Sequence, residues 1–255
     1  MDLLPVPEAL RGFFQSHPHL ALAFSGGADS AYLLYAALAC GCTVRAYCIR
    51  TAFQPAFELA DAQRLAEQLG ADLCILPLDN LSDGTIRANP PDRCYHCKRR
   101  LFGALLEQAR ADGFSEVIDG TNASDDAGDR PGMRALAEMR VLSPLRLCGI
   151  TKPEVRNYSK AAGLFTWNKP AYACLATRVP SGTPIDAQLL KRIEGAEAAL
   201  AALGFSDLRV RVFHDAARIQ LPAEQMAAAV QRRAELRAAL APWFKDNLLD
   251  LEDRG

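Results

Sequence analysis

Several things are scarce in this 255-residue chain. There is no basic excess: 29 Lys and Arg face 30 Asp and Glu, for a net charge of −1. Proteins that bind duplex nucleic acid usually carry a clear positive surplus, so the charge argues against that class. Long apolar runs are missing too. Stretches such as LALAF at 20–24 fall far short of the roughly 20 residues a membrane-spanning helix needs. The N-terminus, MDLLPVPEALRGFF, has acidic residues early and no cleavable signal pattern. The expectation is a cytoplasmic protein, with its eight cysteines largely reduced. No second CxxC accompanies the one at 94–97, which argues against a four-thiolate zinc site.

What is present reads as an α/β protein. LALAF is a short buried strand, followed by SGGADS at 25–30 and a helix that stops at Gly41. Further strands are expected at 44–51, 72–78 and 115–122, with helices at 7–17, 57–70, 98–113 and 151–163. Thr151 is a plausible N-cap for the last of these, and VLSPL at 141–145 reads as a short extended piece. Strands alternating with helices predict a doubly wound, mostly parallel sheet, with functional loops at the carboxyl ends of its strands. After about residue 180 the pattern changes: a helix at 186–204, an antiparallel pair DLRVRVF and ARIQL around HDA, then one last helix. The expected domains are residues 1–180 and a small α+β appendage at 181–255.

SGGADS follows a strand and opens a helix. Its glycines let backbone approach a phosphate, while Ser25, Ser30 and the first-turn amides can donate to phosphate oxygens with the helix dipole assisting. The Walker lysine is absent, so this is a different nucleotide loop. RCYHCK at 93–98 supplies Cys94 and Cys97, a spacing shared by zinc half-sites, redox pairs and iron–sulfur ligands. Cys174, in ACLA, is the natural third partner. His96 is expected to lie on a tight loop between two ligands without being one. Cys40, Cys42, Cys48, Cys74 and Cys148 are expected to fill core.

SGGxDS after the first strand resembles the signature of the PP-loop ATP pyrophosphatases, which cleave ATP to AMP and pyrophosphate to adenylate a substrate. Within them, DGTNASDDAGDRPGMRALAE, SPL, KPAYACLATRVPSGTPI and LRVRVFHDAARIQL, in that order, closely resemble the LarE family of ATP-dependent sulfur transferases, which serve nickel-pincer cofactor synthesis. The resemblance implies that Ser25, Gly26, Gly27, Asp29 and Ser30 hold the pyrophosphate end of ATP and its Mg²⁺, with Asp126 as a metal partner. Gly120, Thr121 and Asn122 would lie near the nucleotide. The implied substrate is pyridinium-3,5-biscarboxylic acid mononucleotide, a small-molecule nucleotide whose phosphate would suit Arg209 and Arg211, which share a strand face. Lys98, Lys169 and Arg178 would balance charge near the thiolates and the substrate, and Glu197 and Glu194 are candidates at the substrate end.

The family resemblance leaves two sulfur sources open. Either Cys94, Cys97 and Cys174 hold a [4Fe-4S] cluster with one open iron fed by a sulfide or other sulfur donor, or Cys174 gives up its own sulfur. The resemblance also implies a symmetric homo-oligomer, a hexamer. Gln220 stands where a glutamate would fit the family pattern better, and the chain stops early at LEDRG. The rival reading is a tRNA thiolase of the same superfamily, which would call for a basic RNA-binding domain.

Overall fold

The computed structural model describes residues 6–125, 131–170 and 172–253. Two compact units emerge. One runs to Asp79 and resumes at Asp92; the other holds Asn80–Pro91 and the chain from Tyr172 onward.

In chain order the elements are α1 (Glu8–Ser16), β1 (His19–Ala23), α2 (Ala28–Ala39), β2 (Thr43–Arg50), α3 (Ala56–Leu69) and β3 (Asp72–Pro77). Then come α4 (Gly84–Ala88), α5 (Arg93–Ala111), β4 (Val117–Ile118), α6 (Pro131–Glu138), α7 (Pro144–Leu147) and α8 (Lys152–Ala161). The last part holds α9 (Ala187–Ala202), β5 (Arg209–Phe213), β6 (Ala216–Gln220), α10 (Ala223–Gln231), α11 (Arg233–Leu240) and β7 (Asn247–Leu249).

The first unit is the expected parallel sheet, in strand order β3-β2-β1-β4. Strand alternation divides its core into two layers. Leu20 and Leu22 of β1 point into a layer with α1, α2, α3 and α8, whereas Ala21 between them faces Leu105 and Ala109 of α5 and Leu136 of α6. The chain winds outward from β1 through β2 to β3, then returns to place β4 on the other side of β1. β1 and β4 therefore flank the switch point of the sheet, where the loops diverge and leave a crevice at the carboxyl ends. SGGADS follows β1 and Gly120-Thr121-Asn122 follows β4, so two distant motifs meet for topological reasons. VLSPL is extended only at Leu142, which bridges to Ile118, because Pro144 then opens α7.

In the second unit, β5 and β6 form the expected antiparallel hairpin. β7 adds in parallel to β6, making the sheet mixed. Leu190, Ile193, Ala196 and Leu200 form the buried stripe of α9, with Val210 of β5 and Ile219 of β6 buried in the same unit. The expected last helix is two, α10 and α11. The chain turns at Arg232, whose guanidinium is anchored to the Leu203 carbonyl at 2.9 Å. Asn80–Pro91 joins this unit through Asn89, whose side-chain amide donates to the carbonyls of Pro180 at 2.9 Å and Thr183 at 3.2 Å. The Gly182 amide and Ile185 amide return bonds to the carbonyls of Asn89 and Arg87, each at 2.8 Å.

Among the described residues, no helix is long and apolar enough to cross a membrane.

Candidate active site

In the first unit the phosphate loop is held from three sides. Gly26 has φ +72°, a conformation L side chains rarely adopt, and a Cβ there would sit 3.0 Å from the Cβ of Ala62 on α3. Gly27 caps α2. The Ser30 hydroxyl donates to the Gly27 carbonyl at 3.2 Å and lies 3.1 Å from the Ser25 hydroxyl. The two serines therefore shape the loop, and the α2 amides open toward the crevice as an anion site. From β4, Gly120 approaches so closely that a Cβ would fall 2.8 Å from the Ser30 amide nitrogen. Asp29 projects from the first turn of α2, where the Asn122 side-chain amide donates to it at 3.1 Å and the Lys152 ammonium pairs with it.

Asp119, buried at the end of β4, accepts from the hydroxyls of Thr121 at 2.6 Å and Ser143 at 2.7 Å. Asp125 accepts from the Asn122 amide at 2.9 Å. The Ser124 amide donates to the Asn122 side-chain oxygen at 2.8 Å, an Asx turn in the loop after β4. Asp126 lies outside the described residues.

The CxxC is not on a loop. It forms the first turn of α5, which begins at Arg93, five residues before the helix expected from the sequence. The Asp92 carbonyl starts the turn by accepting from the Tyr95 amide at 2.8 Å. Cys94 and Cys97 therefore stand i, i+3 on one face of the first turn of α5. His96 turns aside to Asp92, 3.2 Å away. The Lys98 stem packs on Gly132 of α6, and its ammonium lies near Asp119, Cys94, Asp125 and Cys97. Burial lowers the Lys98 pKa from the usual lysine value, against the opposing pull of those anions. Lys98 thus joins the cysteine turn to the acidic end of β4.

In the second unit, Cys174 precedes a short 3₁₀ turn, Leu175–Arg178. Its carbonyl accepts from the Thr177 amide at 3.0 Å, the Thr177 hydroxyl at 2.8 Å and Arg178 at 3.3 Å. Arg178 is only 1% exposed. It forks onto Glu197 of α9, Nε to Oε1 at 2.9 Å and Nη2 to Oε2 at 3.3 Å, and also donates to the Ala173 carbonyl at 2.7 Å. Glu197 further accepts from the Val210 amide at 2.9 Å and from the Tyr172 hydroxyl. Arg178 and Arg209 both stack on the Tyr172 ring, 4.5 and 4.8 Å from its centre. Burial, with Glu197 alongside, raises the Tyr172 phenol pKa far above its usual value and keeps the proton that bonds Glu197. Arg211 donates to the Thr177 carbonyl at 2.9 Å and to the Gln220 side-chain oxygen. The network fixes the backbone on both sides of Cys174.

Comparisons with known proteins bear on this arrangement. No family model matches the chain. An uncharacterized protein of Synechocystis is 39% identical over 227 residues, 88% of this chain and 84% of its own length. The LarE enzyme of Lactiplantibacillus plantarum, pyridinium-3,5-bisthiocarboxylic acid mononucleotide synthase, is 36% identical over 205 residues, 80% of this chain and 74% of that one. The chain belongs to the LarE family. A more distant likeness, 24% identity over 59% of this chain, is to the tRNA-specific 2-thiouridylase MnmA of Thermotoga maritima, which carries the PP-loop fold.

Within this LarE-family chain the structure brings Ser25, Gly26, Gly27, Asp29, Ser30, Gly120 and Asn122 together around one loop, with Thr121 bonded to the adjacent Asp119. It pairs Cys94 with Cys97 beside Lys98. Among the described residues, no three His, Cys, Asp or Glu side chains gather as a metal ion would require. Of the three cysteines expected as cluster ligands, Cys94 and Cys97 share the first turn of α5, and Cys174 belongs to the other unit. The remaining cysteines pack on the two core layers, and burial pushes the Cys48 thiol up to about 11. Gln220 accepts from Arg211 and donates to Asp250 at 2.9 Å, so the amide bridges a cation and an anion where a carboxylate would face Asp250.

Sequence reasoning missed Lys152, Tyr172 and Asp61 of α3, which pairs with Lys169 at 2.7 Å. Lys152 is the first residue of α8 and reaches Asp29 across 123 residues. The capping box of Thr151 and Glu154 was its visible signal, since it fixes where α8 starts. Asp61 and Tyr172 carried no motif.

Proposed function

We propose that this protein is an ATP-dependent sulfur transferase that adenylates carboxylates of pyridinium-3,5-biscarboxylic acid mononucleotide and converts them to thiocarboxylates. A carboxylate resists displacement because its leaving group is oxide. Attack by the carboxylate on the α-phosphorus of ATP forms an acyl adenylate and releases pyrophosphate. Sulfide then displaces AMP, a good leaving group. The observation that carries this reading is the phosphate loop at the sheet's switch point, closed by Gly120, in a chain 36% identical to a synthase of that thiolated nucleotide.

In this reading the α2 amides, Ser25 and Ser30 bind the phosphates, Asp29 offers an oxygen ligand for the Mg²⁺ that accompanies ATP, and Asn122 orients that carboxylate. Cys94, Cys97 and Cys174 would hold a [4Fe-4S] cluster, whose anionic charge would suit the N-terminus of α5 and the neighbouring Lys98. Such a cluster, when bound, supplies exchangeable sulfide as the nucleophile. The second unit contributes cations for the substrate phosphate, with Arg209 and Arg211 as the residues in question.

The test is anaerobic purification with iron and sulfide assay and absorbance near 400 nm, then turnover with the dicarboxylate mononucleotide and separate measurement of pyrophosphate and thiocarboxylate. Asp29→Ala is expected to abolish pyrophosphate release, and Cys174→Ser to spare it while stopping sulfur transfer. Cys94→Ser is expected to bleach the 400 nm band and stop transfer. An active Cys94→Ser protein that loses one sulfur in mass per turnover would overturn the cluster reading in favour of Cys174 as donor. Pyrophosphate release with tRNA alone would overturn the substrate assignment.

A further inference from the structure

Both oxygens of the Asp29 carboxylate have partners. Oδ1 accepts from the Asn122 side-chain amide at 3.1 Å, and Oδ2 pairs with the Lys152 ammonium. Each partner is itself anchored. The Asn122 side-chain oxygen accepts from the Ser124 amide at 2.8 Å, which turns its NH₂ end to Asp29. The Lys152 amide donates to the Ser124 hydroxyl at 2.9 Å, and the Ala123 amide to the Ile150 carbonyl at 2.8 Å. The loop after β4 and the start of α8 are thus tied together, and they present an amide and an ammonium to the same carboxylate.

That carboxylate is also the oxygen ligand assigned above to the Mg²⁺ of ATP. Magnesium binds oxygen at about 2.1 Å and demands a near-octahedral set. Among the described residues, no three His, Cys, Asp or Glu side chains gather as a metal ion would require, so phosphate and water must complete the set around Asp29. An ammonium on Oδ2 puts a like charge beside the place the metal would take. With the Asp29 side chain 23% exposed, that repulsion is only partly screened by solvent. Lys152 reaches Oδ2 along a flexible stem, its side chain 30% exposed. It can pass from the carboxylate to a phosphate oxygen while its backbone stays on Ser124.

We propose that Lys152 is a positioning residue that makes metal binding at Asp29 conditional on nucleotide. In the chain alone, the ammonium holds Oδ2 and turns divalent cations away. When a triphosphate settles on the α2 amides, its oxygens take the ammonium and complete the ligand set of the metal. Asp29 then faces Mg²⁺ and Lys152 faces phosphate, so neither charge is stranded at either stage. Metal and nucleotide therefore enter together. The inference rests on the ATP-dependent reading of the same loop.

The experiment adds MnCl₂ stepwise to the nucleotide-free full chain, purified anaerobically, and follows the EPR signal of free Mn²⁺. Circular dichroism melts confirm that each variant folds. Wild type is expected to bind Mn²⁺ alone only weakly. Lys152→Met is expected to bind it at least tenfold more tightly, Lys152→Arg to stay within threefold of wild type, and the double variant Lys152→Met with Asp29→Asn to lose the gain. In parallel, calorimetry measures binding of the α,β-methylene analogue of ATP in metal-free buffer. There Lys152→Met is expected to bind at least tenfold more weakly than wild type, because no ammonium meets the phosphates. Equal Mn²⁺ affinity in wild type and folded Lys152→Met, or a gain that survives Asp29→Asn, overturns the inference. Unchanged metal-free binding of the analogue by Lys152→Met overturns it as well. In each of these cases, analogue binding by wild type leaves the ATP reading intact. No analogue binding by folded wild type, with or without Mn²⁺, sinks the ATP reading itself and the inference with it.

Discussion

The pair most exposed to a quantitative test is Arg178 with Glu197. Arg178→Met keeps the stem and removes the guanidinium from a site where the native side chain is 1% exposed. Glu197, 7% exposed, would keep the Val210 amide and the Tyr172 hydroxyl but lose both guanidinium bonds. Removing one partner of a buried pair strands the other charge and costs about 3–5 kcal/mol. At 1.4 kcal/mol per decade, that lowers the folding constant by about two to three and a half orders of magnitude, a large share of the 5–15 kcal/mol typical of a native domain. Losing the bond to the Ala173 carbonyl also loosens the backbone beside Cys174. The double variant Arg178→Met with Glu197→Gln is expected to recover at least about 1 kcal/mol, since an amide can still accept from Val210 and no charge remains unpaired. The chain has two tryptophans, and Trp243 packs against Gly195 of α9 in the second unit. Urea unfolding followed by fluorescence in a Trp167→Phe background therefore reports on the unit in question. A cost below about 1 kcal/mol for Arg178→Met, or strict additivity in the double variant, would refute the account.

Three further outcomes follow from the geometry. Gly120→Ala puts a methyl group 2.8 Å from backbone of α2, so stability should fall by about 1–3 kcal/mol and the KM for ATP should rise at least tenfold in a pyrophosphate assay. Thr151→Ala removes one half of the capping box of α8 and should cost about 1 kcal/mol at neutral pH, with Thr151→Ser restoring most of it in thermal melts. Asp112 accepts from Tyr47 at 2.8 Å, and that bond, with Gln108 and Arg45, holds its carboxyl below the usual carboxylate range. Because the folded pKa is depressed, the stabilisation is complete above the unfolded value of about 4 and is lost as pH falls through the folded value. Tyr47→Phe should therefore lower the urea midpoint more at pH 7 than at pH 3; an equal drop at both would contradict the assignment.

Local signals in the sequence were enough for the parallel sheet, the strand–SGGADS–helix turn and the antiparallel hairpin of β5 and β6. Buried strands advertise themselves as short apolar runs, and a glycine pair between strand and helix has few other uses. The alternation that put Arg209 and Arg211 on one face also held, since period two is a property of the strand alone. Where CxxC sits was misjudged because Cys94, Tyr95 and His96 are indifferent helix formers, and the turn is started by a backbone bond to Asp92 that composition does not reveal.

What only the tertiary structure decided are partnerships over long separations. Lys152 meets Asp29 because β4 returns beside β1, and Gly120 must be glycine because that return brings two backbones into contact. Asn80–Pro91 leaves its sequence neighbours because Asn89 finds carbonyls at 180 and 183 to bond. The reason is the same each time: propensity and periodicity act within about a turn or a strand, whereas a buried charge or amide is satisfied by whichever donor the packed chain carries to it.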